Sequence, residues 1–471
     1  MTVCMAACRV TLLLGAFILA GVLAGCATYS DSFGVIERDL SAQQYDVALQ
    51  DIEKQSKSKT GRVLYLLNKG MVLRMKRDFT ASNQALETAK AEMERLYAAS
   101  VSENALSFVV NDATVSYAGE DYEQVLVHLY MALNYLELDQ PKEARVEALQ
   151  VDIKLREIGE KIPESKFTED ALSRYLTAMI YEELGEWSDA MIDYRKAYEA
   201  YKKYQVNYGV PVPDMLKRDL LRLAKRQGLK DELALYKKEF GITPAQEENR
   251  ASEQEGELVF VLNNGLAPVK REKAISVWAP PPSVVVNASK PHEKMTTMPV
   301  LVNIAIPYYE SRTNTVLGAR ISVSGKQAST QMMEDIDAIA KASLDSRMVA
   351  ITARSVARAI AKGAIQESVD RAGNNRDSDP AVALLGSFLV RVAAAATERA
   401  DTRSWLTLPA NVQLARLSLP PGSYIVTIDL LGAGDQVIAT REYPGIVISK
   451  KRKTYLTQHW VPDDPTSRRR K

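Results

Sequence analysis

The sequence predicts an α+β protein: an N-terminal array of α-helical repeats followed by an antiparallel β domain with a helical insertion. Three observations carry this expectation. From residue 33 to about residue 241, apolar residues recur three and four apart and proline is scarce. A polar, acidic stretch at residues 244–256 (PAQEENRASEQEG) then breaks the pattern. Beyond it the apolar period falls to two, and turn residues come at short intervals. The expected division is a repeat domain at 33–243, a linker at 244–256 and a β-rich domain at 257–471, with the helical insertion at 328–400.

The first 25 residues stand outside this fold. Arg9 is their one basic side chain, and an apolar core follows at residues 10–24. A basic start, an apolar middle and small residues at the end make a secretory signal, shorter than the roughly 20 residues that span a bilayer with ease. The segment ends in Leu23-Ala24-Gly25-Cys26, which resembles the lipobox of bacterial lipoproteins. That resemblance implies cleavage after Gly25, a diacylglycerol on the Cys26 thiol and a lipidated tether at residues 26–32. Of the three cysteines, Cys4 and Cys8 would leave with the signal peptide and Cys26 would be consumed by lipid, which leaves no thiol for a disulfide or a metal site. Ala27, where an Asp would imply retention in the inner membrane, implies transport to the outer membrane with the body facing the periplasm.

The helical half is sharpest at residues 171–201, ALSRYLTAMIYEELGEWSDAMIDYRKAYEAY. Two apolar blocks are broken at Leu184-Gly185-Glu186-Trp187. The pattern resembles a tetratricopeptide (TPR) repeat, with Ala178 and Tyr181 in the first helix, Gly185, Glu186 and Trp187 at the turn, and Ala190, Tyr194 and Ala197 in the second. Small residues let paired helices approach, and aromatics fill the gap to the next repeat. Residues 66–89 and 128–148 fit less closely, Gln44-Tyr45 with Ala48 and Ile52 reads as the end of a degenerate first repeat, and residues 214–240 form one more pair broken at Gly228. Such stacks curve, and their concave groove takes peptides or proteins. His128, within the apolar helix at 124–138, reads as a buried, hydrogen-bonded side chain.

After the linker, residues 257–262 form a strand closed by the turn Asn263-Asn264-Gly265, and strands continue at 269–278, 300–309 and 315–324. Helix returns at 331–364, with Met332, Ile336, Ile339, Ser343, Met348, Thr352, Val356 and Ile360 on one stripe. A second helix at 380–399, whose short apolar part carries Arg391, reads as buried rather than membrane-spanning. Strands at 411–419, 423–430, 436–440, 446–449 and 454–460 suggest a small sandwich or barrel. Between helix and sheet, Asp401 and Arg403 read as a structural ion pair with Trp405 as an anchor, or as a ligand site.

Sixty Lys and Arg against 59 Asp and Glu become 59 against 59 once Arg9 is removed. That balance excludes a nucleic-acid binder, which needs a basic excess. The local exception is the C-terminal run Lys450, Lys451, Arg452, Lys453, Arg468, Arg469, Arg470 and Lys471, a solvated tail or a contact for anionic headgroups or an acidic partner. No phosphate loop, nucleophile elbow, zinc-binding His pair or dinucleotide fingerprint occurs, so no catalytic residue, cofactor or metal ligand is expected. A glycosidase-type carboxylate pair has no spacing rule and stays open.

Together with the lipobox, the segments Ala118-Gly-Glu-Asp-Tyr-Glu123, Leu126-Val-His-Leu-Tyr-Met-Ala-Leu-Asn-Tyr135, Asn264-Gly-Leu-Ala-Pro-Val269 and Asp401-Thr-Arg-Ser-Trp405 resemble a family of Gram-negative bacterial outer-membrane lipoproteins with TPR-like repeats and a C-terminal β-rich domain. The resemblance implies a lipid-anchored scaffold or assembly factor in the envelope. It would hold the membrane through Cys26, and envelope proteins or peptides, a peptidoglycan-related partner among them, through the repeat groove. The alternatives are a regulator of peptidoglycan synthesis and a carbohydrate-active enzyme.

Overall fold

The computed structural model describes residues 29–102, 115–161, 167–241, 254–279, 300–373 and 399–463. The signal segment, Cys26, Ala27, the second insertion helix at 380–399 and the basic residues 468–471 lie outside the described residues, as does most of the linker.

After a single turn, α1 (Tyr29–Ser32), the helical half forms five successive pairs among the described residues. These are α2 (Gly34–Ser41) with α3 (Tyr45–Glu53), α4 (Arg62–Met75) with α5 (Phe79–Ser102), α6 (Asp121–Glu137) with α7 (Pro141–Lys161), α8 (Ala171–Glu183) with α9 (Trp187–Tyr208), and α10 (Asp214–Arg226) with α11 (Lys230–Glu239). In the fourth pair Ala178, Ala190, Tyr194 and Ala197 are fully buried. Tyr181 and Trp187 are half-buried against the same core. Gly185 makes the turn at φ 78°, a conformation that a side chain would strain.

The C-terminal half holds β1 (Gly256–Asn264), β2 (Val269–Ala279), β3 (Val300–Glu310), β4 (Gly318–Val323), β5 (Lys326–Ser329), β6 (Gln331–Asp335), α12 (Ile336–Gly373), β7 (Asn411–Leu419), β8 (Gly422–Leu431), β9 (Val437–Ile448) and β10 (Lys453–Trp460). One sheet has the order β10-β1-β7-β6 and a second the order β5-β4-β8-β9, while β2 and β3 form a separate ribbon that packs on α12. Mixed helix and sheet are as expected. The pairing of β1 with β10, however, is parallel, from Glu257 opposite Lys453 to Asn264 opposite Trp460, so the β half is not wholly antiparallel. Residues 331–335 are a strand where a helix start was expected. Met332 therefore belongs to β6, and the helix stripe begins at Ile336. The two short strands expected at 436–440 and 446–449 are one, β9, and β5 was not foreseen.

The sheet containing β1 is the middle of three layers. Leu258, Phe260 and Leu262 of β1 meet Ile321, Val426 and Ile428 of the second sheet. Val259 and Val261, on the opposite face, join Val412, Leu414, Met333 and Tyr455 in one apolar core with the buried residues of the helix pairs. The first helices of successive pairs turn toward this face. From α4, Arg74 donates to Thr457 Oγ1 at 2.9 Å. From α6, Tyr130 donates to Asn263 Oδ1 at 3.1 Å. From α8 and α10, Tyr175 and Asp219 both bind Arg416. The repeat groove expected to receive a partner is thus filled by the chain's own sheet.

Candidate functional site

Three of the sequence segments singled out above converge at one end of this seam. The turn at residues 118–119 leads into α6, whose first residues are Glu120 to Glu123. Strand β2 begins at Val269, the last residue of the segment 264–269, and residues 401–409 run between α12 and β7. Glu120 pairs with Lys270 of β2 and with Arg347 of α12. Burial alone would raise this carboxyl, but Arg347 and Lys270 outweigh it and hold it at about 2. Glu123, one helical turn on, has no ion-pair partner among the described residues. Its Oε2 accepts from the Tyr117 hydroxyl at 2.5 Å and from the Glu120 backbone N–H at 3.1 Å, and its Oε1 accepts from the Trp405 backbone N–H at 2.7 Å. Burial, then the neighbouring Glu120 charge, push Glu123 up to about 7 against the pull of those donors. Two carboxyls three residues apart are therefore set far apart in acidity by their surroundings.

The rest of the cluster is aromatic and amide. The Tyr122 and Tyr309 hydroxyls lie 3.2 Å apart. Trp405 is fully buried, donates through Nε1 to Thr407 Oγ1 at 2.9 Å and meets the Tyr130 ring edge-on at 6.1 Å between centroids. Asn68 of α4 accepts from Thr407 Oγ1 at 2.9 Å and donates to the Tyr29 hydroxyl at 2.8 Å. Asp401 and Arg403 form the structural fork: Arg403 Nε and Nη2 donate to Asp401 at 2.9 and 2.8 Å, and Nη1 donates to the Val115 carbonyl at 2.9 Å. Trp405 is the anchor beside it. The composition of these segments pointed to them, but their meeting was not legible, since Glu123 and Trp405 are 282 residues apart.

At the other end of the seam, Arg416 of β7 forks onto Glu257 at 2.7 and 2.8 Å and reaches Asp219 and the Tyr175 hydroxyl. Between the two ends a β-bulge at Met332 and Glu334 turns Glu334 into the helical core. There Glu334 and Asp170, the N-cap of α8, are both fully buried. Asp170 Oδ1 accepts from the Ser173 N–H at 2.7 Å, and Asp170 faces Glu334 carboxyl to carboxyl, a hydrogen bond that exists only while one of the two holds a proton. Burial, then the Asp170 charge, push Glu334 well above the usual carboxylate range. The carboxyls of both acid pairs of the seam are buried.

Elsewhere, His128 is buried with Nδ1 2.7 Å from Glu147 Oε2, as expected of a hydrogen-bonded core histidine. His459 is half-buried, and its desolvation lowers it to about 4, so that a neutral ring donates from Nε2 to the Gly265 carbonyl at 3.0 Å. The basic run near the C-terminus is partly committed: Arg452 binds Asp139 and Glu183, and Lys453 lies 3.6 Å from Glu182. These two cations clamp β10 to the helix pairs and do not form a free contact for headgroups. An open hollow of about 240 Å³ is lined by Glu169, Arg195, Lys196, Glu199, Ala200 and Lys203 on the outer side of α9. No group of three or more metal-ligating side chains occurs among the described residues, and no helix there is long and apolar enough to cross a membrane.

No protein-family model matches the chain, and no curated protein matches it. Among solved structures it is similar to a crystal structure of MamA at 14% identity, over 45% of this chain and 92% of that one, with a TM-score of 0.28. It is also similar to MamA from residue 41 onward of Desulfovibrio magneticus RS-1, at 12% identity over 47% and 96% of the two chains, with a TM-score of 0.27. Likeness at this level carries no argument about function.

Proposed function

We propose that the protein is a lipid-anchored lipoprotein of the outer membrane, facing the periplasm, that serves as a protein-binding scaffold or assembly factor through the outer surface of its helix pairs. The observation that carries this reading is the division of the array into a committed and an open side. Its inner side is joined to the chain's own sheet by Arg74, Tyr130, Tyr175 and Asp219. Its outer side presents Val146, Leu149 and Ile153 on α7, 55%, 42% and 47% exposed. Their spacing of three and four places them on one stripe, and a stripe of this kind suits a partner helix or loop. Lipidation rests on Leu23-Ala24-Gly25-Cys26 and outer-membrane sorting on Ala27.

Crosslinking in cells tests the scaffold. A photoreactive residue at Leu149 should yield a defined protein adduct that disappears in a Val146→Glu/Ile153→Glu background. Adducts formed equally from the inner helix face at Asn68, or none from Leu149, would overturn the outer-surface reading. Mass spectrometry of membrane-extracted protein should show an acylated N-terminal Cys26. Cys26→Ala protein that resists a salt wash would contradict the anchor.

A further inference from the structure

Only Ala27 and Thr28 separate Cys26 from Tyr29. Three peptide steps reach at most about 11 Å. Tyr29 is also held in place. Its hydroxyl accepts from Asn68 Nδ2 at 2.8 Å, the next residue's Ser30 Oγ donates to the Lys270 carbonyl at 3.2 Å, and Phe33 is buried in the core. Asn68 is fixed in turn by Thr407. The start of the described chain is therefore clamped where α4, β2 and residues 401–409 meet, directly over the Glu120–Glu123 cluster.

On each side of its hydrocarbon core a bilayer carries a headgroup layer of about 5–8 Å. A tether of about 11 Å reaches little beyond that layer, so a body clamped at Tyr29 has no room to stand off or to swing. We propose that the face around α1, α2 and the start of the β2–β3 ribbon lies against the lipid headgroups and holds the protein in one orientation on the membrane. This rests on the lipidation of Cys26 proposed above. The charges of this face balance: Arg312 pairs with Glu37 at 2.8 Å, Arg271 with Glu310 and Lys341 with Asp337 at 2.6 Å, and the exposed Arg38 of α2 stands beside Asp39. Val35 of α2 is half exposed among them. A balanced face of this kind is seated by the anchor and not by attraction to anionic lipid, so its contact is insensitive to salt and to lipid charge.

Once cleaved after Gly25 and acylated at Cys26 the chain keeps no free thiol, since Cys4 and Cys8 lie in the signal segment, so a single fluorophore can be placed at Val35→Cys or, at the far end of the helix stack, at Leu235→Cys. Both proteins are bound to phosphatidylcholine vesicles carrying a nitroxide on the headgroup. The Val35 probe should lose most of its fluorescence and the Leu235 probe none, equally with and without added phosphatidylglycerol and at high salt. Inserting 15 Gly and Ser residues between Ala27 and Thr28, with a mean span of about 20 Å, should restore the Val35 signal while the protein still floats with the vesicles. Protein that floats with an unquenched Val35 probe overturns the docked face. Quenching that the longer tether leaves unchanged overturns the tether as its cause. Protein that does not float at all overturns the anchor itself, and the docking with it.

Discussion

Arg416 joins three groups from three parts of the chain: Glu257 on the neighbouring strand, Tyr175 on α8 and Asp219 on α10, with Asp219 also accepting from Tyr175 at 2.8 Å. Removing one partner of a buried pair leaves the other charge unmatched in a dry site. Arg416→Ala should therefore cost about 3–5 kcal/mol in urea unfolding, and a loss under 1 kcal/mol would show that water reaches the site. Glu334 makes the opposite case. Its carboxyl is raised in the folded chain, so the folded state holds its proton more tightly than the unfolded one. Stability from this group is present in full below its ordinary value of 4.5 and declines as the pH rises toward the folded value. Glu334→Gln keeps a neutral donor toward Asp170 and has no proton to lose. The melting temperature of Glu334→Gln minus that of the native chain should then grow from pH 5 to pH 8. A difference that does not change with pH would remove this account of the pair.

The helix pairs were legible because their period is local, and the fourth was the clearest because small residues and aromatics recur within one pair. Gly70 shows the physical content of such positions. A Cβ added there would lie 2.6 Å from Leu86 Cδ2, and Ser82 Oγ donates to the Gly70 carbonyl at 2.7 Å, so α4 and α5 meet at this point without a side chain between them. Gly70→Ala should cost about 1–3 kcal/mol through overpacking. In a Leu86→Ala background, where the obstructing atoms are gone, the same change should cost much less. Equal costs in the two backgrounds would place the strain elsewhere. Strand β6 was misread because Gln-Met-Met-Glu-Asp has no alternation and suits a helix by composition. It is a strand because β7 offers it an edge, and the bulge at Glu334 absorbs the mismatch. Strand β9 is continuous where two short strands are expected: Pro444 and Gly445 lie within it, at a shift in its register with β8.

The meeting of the two halves was the least legible feature, since a period shows that a face is apolar and not what covers it. Two signals were nevertheless present. From Val125 to Leu133 every residue of α6 is buried, and a helix apolar on all sides must be covered on all sides. Leu-Val-Phe-Val-Leu in β1 is a continuous apolar run, the mark of a strand buried on both faces. Both elements lie at the seam, where Glu123 and Tyr130 of α6 bind Trp405 and Asn263. The change of period at the linker marks a change of secondary structure, while the apolar core runs continuously from Phe33 to Val461.

The central claim is that the helix pairs and the sheet form one folding unit whose groove is already occupied. The most direct measurement is to place a protease site within residues 244–253, cut the folded full chain there, and follow the products by size-exclusion chromatography and calorimetry. If the sheet fills the groove, the two pieces co-elute as one particle and melt in a single transition near that of the uncut chain. Pieces that separate without denaturant, each with its own cooperative transition, would contradict it.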